Sequence, residues 1–325
     1  MPTNSQAAYL AIRAFNIETS RIADTVSTPQ VGLLRLQFWK DNITRSFTGS
    51  PPQQPICVLL SSAISSLSSK TNGRAGLNKA WFLKILSARE QYLTNPPYPS
   101  LTALEQYAEN TYSTLLYLTL QSLPLSSLTA DHLASHIGKA AGISTVLRGL
   151  PLIAFPASPN HHSNTAGLSP AVIDQRASAS RGSVTLPLDV MADAGVREED
   201  VLRQGAEAPG LRDAVFAVAT RASDHLITAR TMLANLRKGE EVGHAFEHEG
   251  EEGHTYSNES SGNTSQQALQ EAERAFGVLM PVAIGTQLWL ERLQNADFDV
   301  FDSALRRREW KLPWRAYLAH KRRTF

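Results

Sequence analysis

The sequence predicts an all-α protein. Apolar residues recur at three- and four-residue spacing through most of the 325 residues. Clusters of Pro, Gly and Asn separate those stretches, as helix stops and turns require. An alternating strand pattern of useful length is missing, and so is any internal repeat. A chain of this length with 42% hydrophobic residues can bury a large core, and residues 1–325 read as a single domain.

The first helix spans roughly residues 5 to 24, with Tyr9, Ile12, Phe15, Thr19 and Ile22 on its apolar face. Thr28-Pro29 opens a second, Pro29 to Arg45, with Leu33, Leu36 and Trp39 inward and Arg35 and Lys40 on other faces. After a turn over Gly49–Pro55, a third helix covers about 55 to 69 and carries Leu59, Ile64 and Leu67. Asn72-Gly73 ends it before a fourth, about 76 to 93, built on Trp81, Phe82, Ile85 and Leu86. The run Asn95-Pro-Pro-Tyr-Pro99 is a hard stop. A fifth helix follows over 100 to 123. Residues 110–130 carry no charge, but their Gln, Asn, Pro, Ser and Thr favour a buried core helix over a membrane span.

The sixth helix, Asp131 to Ile153, is capped by Thr129 and rich in small residues at helical spacing, so a neighbour can come close. It carries Lys139 and Arg148 but no carboxylate after Asp131. A long irregular loop to Thr185 and a short element at 186–194 come next. Helices then return over 197–205, 208–237 and 266–295. Residues 239–265 are polar, with almost nothing to bury, and read as a disordered insertion. The segment 303–325 is basic and aromatic.

Composition excludes several functions. A net charge of +1 gives no bulk attraction to nucleic acid, which is not expected as a partner. The single cysteine, Cys57, excludes intramolecular disulfides and suits a buried free thiol. Nothing reads as a secretory signal, and a cleaved presequence would have to precede Met1. Nucleophile-elbow, dinucleotide, Walker and paired Cys-x-x-Cys motifs are all missing. His244-Ala-Phe-Glu247-His248, with His254, matches a zinc-peptidase pattern. It lies in the Gly-rich polar insertion, which offers no rigid helix for two ligands, and reads as a solvated loop. His161-His162 sits in a Pro/Ser/Asn loop and reads the same way.

Three stretches together resemble the squalene/phytoene synthase family, whose members join two prenyl diphosphates head to head. AYLAIRAFNIETSRIAD is similar to the family's first aspartate-rich helix, and HIGKAAGISTVLRGLPLI to its second. RGSVTLPLDVMADAGVREEDVLR is similar to the segment that follows, with Thr185 where the family usually has Tyr. The resemblance implies an isoprenoid-synthase-type helical bundle around a central cavity. LLRLQFWKDNI and LERLQNADFDVFDSALRRREWKLPWR are closer to one branch of that family, the mitochondrial complex I assembly factors. This implies a non-catalytic role and complex I subunits or other assembly factors as partners. It also implies a peripheral place on the matrix face of the inner mitochondrial membrane.

In the synthases, aspartates at i and i+4 on two facing helices hold magnesium ions against the departing diphosphate. By the resemblance, these positions fall on Asn16 and Ser20, and on Gly149 and Ile153. None is a carboxylate, and magnesium is a hard cation that wants charged oxygen ligands. Asp24, one turn past Ser20, cannot replace a cluster of four. Magnesium binding is therefore expected to be lost, no cofactor is expected, and the chain is expected to be a pseudoenzyme. The alternative is an active prenyl-diphosphate or lipid transferase with a rearranged metal site. A third class is a lipid-binding or membrane-scaffold module.

Two basic sets remain. Arg13, Arg35 and Arg148 are candidate contacts for a phosphate-bearing lipid in the cavity, against an ordinary role in salt bridges at helix ends. Arg306, Arg307, Arg308, Trp310, Lys311, Trp314 and Arg315 are candidate contacts with anionic inner-membrane lipid. Against that stands a solvated basic face with its Trp residues turned inward.

Overall fold

A computed structural model describes residues 3–26, 28–73, 75–123, 125, 128–156, 182–238 and 265–322. Among them, helices account for all regular structure. In chain order these are α1 (Gln6–Ser20), α2 (Ile22–Thr25), α3 (Pro29–Phe47), α4 (Pro55–Thr71), α5 (Lys79–Gln91), α6 (Leu101–Ala108) and α7 (Thr114–Gln121). Then come α8 (Leu128–Ala154), α9 (Leu188–Asp193), α10 (Glu198–Gln204), α11 (Leu211–Lys238), α12 (Ser265–Asn295) and α13 (Leu312–Arg322). The polar insertion, His161-His162 and the His244–His254 pattern fall outside the described residues.

Local chemistry sets the helix ends. Thr28 and Ser100 accept hydrogen bonds from the backbone N–H three residues on, and Asn78 accepts from Ala80. Pro29 and Pro55 take first-turn positions, where a missing N–H costs nothing. Asn72 ends α4 at φ 51°, a left-handed conformation that asparagine tolerates.

The apolar stripes found in the sequence are the buried faces, with local shifts. Phe15 packs edge-to-face on Phe82 at 5.1 Å and on Trp39 at 5.8 Å, joining α1, α3 and α5. Each such ring contributes about 1.5–3 kcal/mol by burial. On α3, Leu36 and Trp39 are buried, but the expected inward Leu33 is exposed. On α4 the inner face is Cys57, Leu60, Ala63 and Leu67, leaving Leu59 and Ile64 only half-buried. The expected fifth helix is interrupted. A π-helical turn, Glu109–Ser113, separates α6 from α7 and brings the Glu109 carboxylate into the interior, where it accepts from Tyr117 Oη at 2.5 Å and Ser135 Oγ at 2.8 Å.

Helix α8 is the axis of the bundle. It packs on α6, the π turn, α7, α11 and α12. Its small residues allow this. A Cβ on Gly138 would lie 2.4 Å from Ser113 Cα, and one on Gly142 would lie 2.5 Å from Ala108 Cβ. Among the described residues, α8 is also the one helix long and apolar enough to cross a membrane. Here that apolarity serves the protein interior, as its many buried residues show.

Candidate functional site

Helices α1, α7, α8 and α12, with the chain after α12, border a half-open cavity of about 730 Å³. Arg13 and Asn16 from α1, Ser144 and Arg148 from α8, and Trp289 and Arg292 from α12 lie in its wall. Arg306, Arg307, Arg308 and Glu309 rim it. A second chamber of about 670 Å³ shares Arg13, Leu116, Pro281 and Val282 with the first. Tyr9, Leu123, Leu125 and Val278 make its lining largely apolar. Both volumes fall within the range of about 300–1,000 Å³ typical of ligand sites.

The lining of the first cavity is cationic. Six arginines face one carboxylate, Glu309. Glu309 lies 3.4 Å from Arg292 and also accepts from the Lys311 backbone N–H. Arg292 Nη1 also donates to the carbonyl of Arg307 at 2.9 Å, and Nη2 to that of Leu305 at 2.5 Å. That clamp sets the rim. The Arg148 guanidinium lies over the Trp289 ring, 5.0 Å from its centre. Burial lowers the Arg148 pKa, Tyr112 opposes this, and nearby Arg292 lowers it further. Two guanidinium groups thus repel each other across one cavity. In the wall, Ser144 Oγ, Trp289 Nε1 and Arg292 Nε are buried without a hydrogen-bond partner.

Not every residue singled out in the sequence reaches this cavity. Arg13, Arg148 and Asn16 do. Arg35 is exposed on α3 and donates to Thr25 Oγ1 at 3.1 Å, outside both cavity walls. Ser20 and Asp24 are exposed, and Ser20 Oγ donates back to Ile17 O. Gly149 and Ile153 sit on α8 but line neither chamber. A Cβ at 149 would meet only Ile153 Cδ1, at 3.8 Å.

The sequence reading missed Arg89. Its guanidinium donates to Asn16 Oδ1 at 2.6 Å, to Asn16 O at 3.4 Å, and to the Thr19 hydroxyl. Among the described residues it forms no salt bridge with a carboxylate. Burial pushes it below the ordinary arginine value, with Tyr107 and Tyr112 opposing the shift. Burial in turn raises Tyr107 to about 12, with Arg89 pulling the other way. The signal lay in the register of α5. Arg89 follows Phe82 and Ile85 at i+7 and i+4, a cation on a core-facing stripe.

These residues do not fit magnesium. Asn16 already has a cation on its side-chain oxygen, Ser20 faces away, and Gly149 and Ile153 have no side-chain donor. Among the described residues, no group of three or more His, Cys, Asp or Glu is placed to hold a metal ion.

The squalene/phytoene synthase family profile matches residues 1–152 and 172–317. The chain belongs to the squalene/phytoene synthase family. Within that family it is 31% identical to the human protein named NADH dehydrogenase (ubiquinone) complex I, assembly factor 6, covering all of this chain and 77% of the relative. The cattle protein of the same name is 32% identical over the same shares. The fold is similar to that of two solved synthases. A dehydrosqualene synthase in complex with ligand superposes with a TM-score of 0.64 at 14% identity, over 99% of this chain and 88% of that one. The squalene synthase HpnC from Alicyclobacillus acidocaldarius gives 0.58 at 12% identity, over 90% and 84%. The all-α isoprenoid-synthase architecture expected from the sequence is therefore the one found.

Proposed function

We propose that this protein is a non-catalytic assembly factor for respiratory complex I, acting in mitochondria from the matrix face of the inner membrane. The observation that carries the reading is the similarity, over all of this chain, to relatives named for complex I assembly. Its partners are then complex I subunits or other assembly factors.

The non-catalytic part rests on Arg89. A divalent ion beside Asn16 would meet a fixed positive charge already bonded to that oxygen. At 4 Å, two unit charges at an effective dielectric of 20 repel by about 4 kcal/mol. No carboxylate stands at Asn16, Ser20, Gly149 or Ile153 to offset this.

The peripheral membrane placement rests on the C-terminal segment. Trp310, Trp314 and Tyr317 are 71%, 67% and 59% exposed. They are interleaved with Arg306, Arg307, Arg308, Lys311 and Arg315. Exposed aromatics among cations suit an anionic headgroup layer, each cation near the surface adding about 1 kcal/mol.

Native-gel analysis of a deletion strain tests the function. Depleted complex I with normal sterols is expected; normal complex I would overturn the reading. Squalene or phytoene made by the purified protein from prenyl diphosphates and magnesium would overturn its non-catalytic part. Recovery on anionic but not neutral vesicles is expected for the membrane placement.

A further inference from the structure

We propose that the two chambers form a metal-independent site for a bilayer phospholipid, its phosphate in the arginine-lined cavity and a hydrocarbon tail in the apolar one. The route of entry rests on the membrane-docking reading above, whereas the site itself does not.

The chemistry of the two spaces differs in the way an amphiphile requires. The first chamber presents Arg13 and Arg148 with the single carboxylate of its wall, Glu309, already engaged by Arg292. The unpartnered groups in that wall, Ser144 Oγ, Trp289 Nε1 and Arg292 Nε, all carry hydrogens to give. Indole and guanidinium nitrogens can only donate. A ligand facing Arg13, Arg148, Arg306, Arg307 and Arg308 must be rich in acceptors and negatively charged, as a phosphate ester is.

The second chamber adjoins the first along Leu116, Pro281 and Val282, with Arg13 in both walls. Its Tyr9, Leu123, Leu125 and Val278 offer apolar contact to a chain, with Thr119 and a second arginine, Arg274, also in the wall. Helix α12 leaves room there, because a Cβ on Gly277 would meet nothing within 4 Å.

The mouth points to the source. Arg306, Arg307 and Arg308 rim the first cavity and run directly into Trp310, Lys311 and Trp314, which are the proposed bilayer contacts. A lipid leaving the bilayer would pass its head along a continuous line of cations.

The test uses the full chain, freed of lipid and mixed in EDTA with phosphatidylcholine vesicles containing phosphatidylglycerol. Protein is then re-isolated and its bound lipid measured by mass spectrometry and phosphate content. About one phospholipid per chain is expected, enriched in the anionic species. Gly277→Phe, at a position that lines the tail chamber and not the first cavity, is expected to lower retention about tenfold at an unchanged melting temperature. The double variant Arg13→Ala/Arg148→Ala is expected to lower retention of the anionic lipid about tenfold, the effect of losing one or two charge-assisted bonds.

No lipid retained from vesicles or from detergent-dispersed lipid would overturn the proposal. So would undiminished retention by Gly277→Phe, a requirement for magnesium, or preference for a fatty acid or a soluble prenyl diphosphate over the phospholipid. Loading from detergent but not from vesicles would support the site and overturn the docking reading alone.

Discussion

Arg89 on α5 donates to the side-chain oxygen of Asn16 on α1 at 2.6 Å, so a guanidinium stands at the first of the positions that the resemblance matches to the family's metal-binding aspartates. It is a buried cation held by neutral oxygens. Asn16→Asp should supply the missing counter-charge. We expect the variant to be more stable by about 1 kcal/mol and still not to bind magnesium, since the new carboxylate pairs with Arg89. Differential scanning fluorimetry and magnesium titration calorimetry measure the two outcomes. Magnesium binding by Asn16→Asp would mean that Arg89 does not block the position.

The Glu109 carboxylate in the π turn accepts from Tyr117 and Ser135 inside the bundle. Glu109→Ala would remove their common acceptor and leave buried hydroxyls unsatisfied. A loss of about 3–5 kcal/mol is expected, measured by urea denaturation. Glu109→Gln keeps an acceptor and should lose less.

Gly138 lies against Ser113, where an added Cβ would come within 2.4 Å of Ser113 Cα and 2.5 Å of its backbone N. Backbone cannot swing aside as a side chain can. Gly138→Ala should therefore cost about 3 kcal/mol despite the better helix propensity of alanine. By contrast, Gly277→Ala has open space around it and should be neutral or slightly stabilising. Equal melting shifts for the two would contradict the close crossing of α8 over the π turn.

Glu105, His225 and Arg221 tie α6 to α11. His225 Nε2 and Arg221 Nε lie 2.7 and 2.5 Å from Glu105 Oε1. Burial would raise the Glu105 pKa, but the hydrogen bonds from His225 and Arg221 outweigh it and hold the carboxyl at about 2. A depressed carboxylate contributes stability above its unfolded value, near 4.3, and loses it as pH falls toward 2. Glu105→Gln should therefore cost about 1–2 kcal/mol at pH 7, the exposed Arg221 being partly screened by solvent. The difference from wild type should shrink between pH 5 and pH 2 in denaturant titrations. A constant difference across that window would assign the loss to packing instead.

Helices were legible because their signals are local. The stripe Ile12–Phe15–Thr19 and the stops at Asn72 and Asn95-Pro-Pro can be read one turn at a time. The π turn could not be read this way, since Glu109 is drawn inward by partners 8 and 26 residues away. The slip at Leu33 has a similar cause. Leu36 and Trp39 fix the buried face of α3, and Leu33 sits beside it in solvent. At the cavity, Arg13 and Arg148 were visible because they flank motif positions. Arg35 shares their charge but not their helix face. Ser144 and Trp289 belong to helices whose meeting is decided by tertiary packing. Arg89 was the recoverable miss, since its place on an apolar stripe was written in the spacing of α5.

The Arg292 clamp bears on how the protein should be handled. By tying Leu305, Arg307 and Glu309 back onto α12, it makes the last stretch of chain a doorframe rather than a tail. A version shortened before Leu305 would keep most of its core and lose one side of its entrance. Because α13 also packs on α12, differences in what such a version captures would report on access to the interior once its melting temperature is matched to that of the full chain.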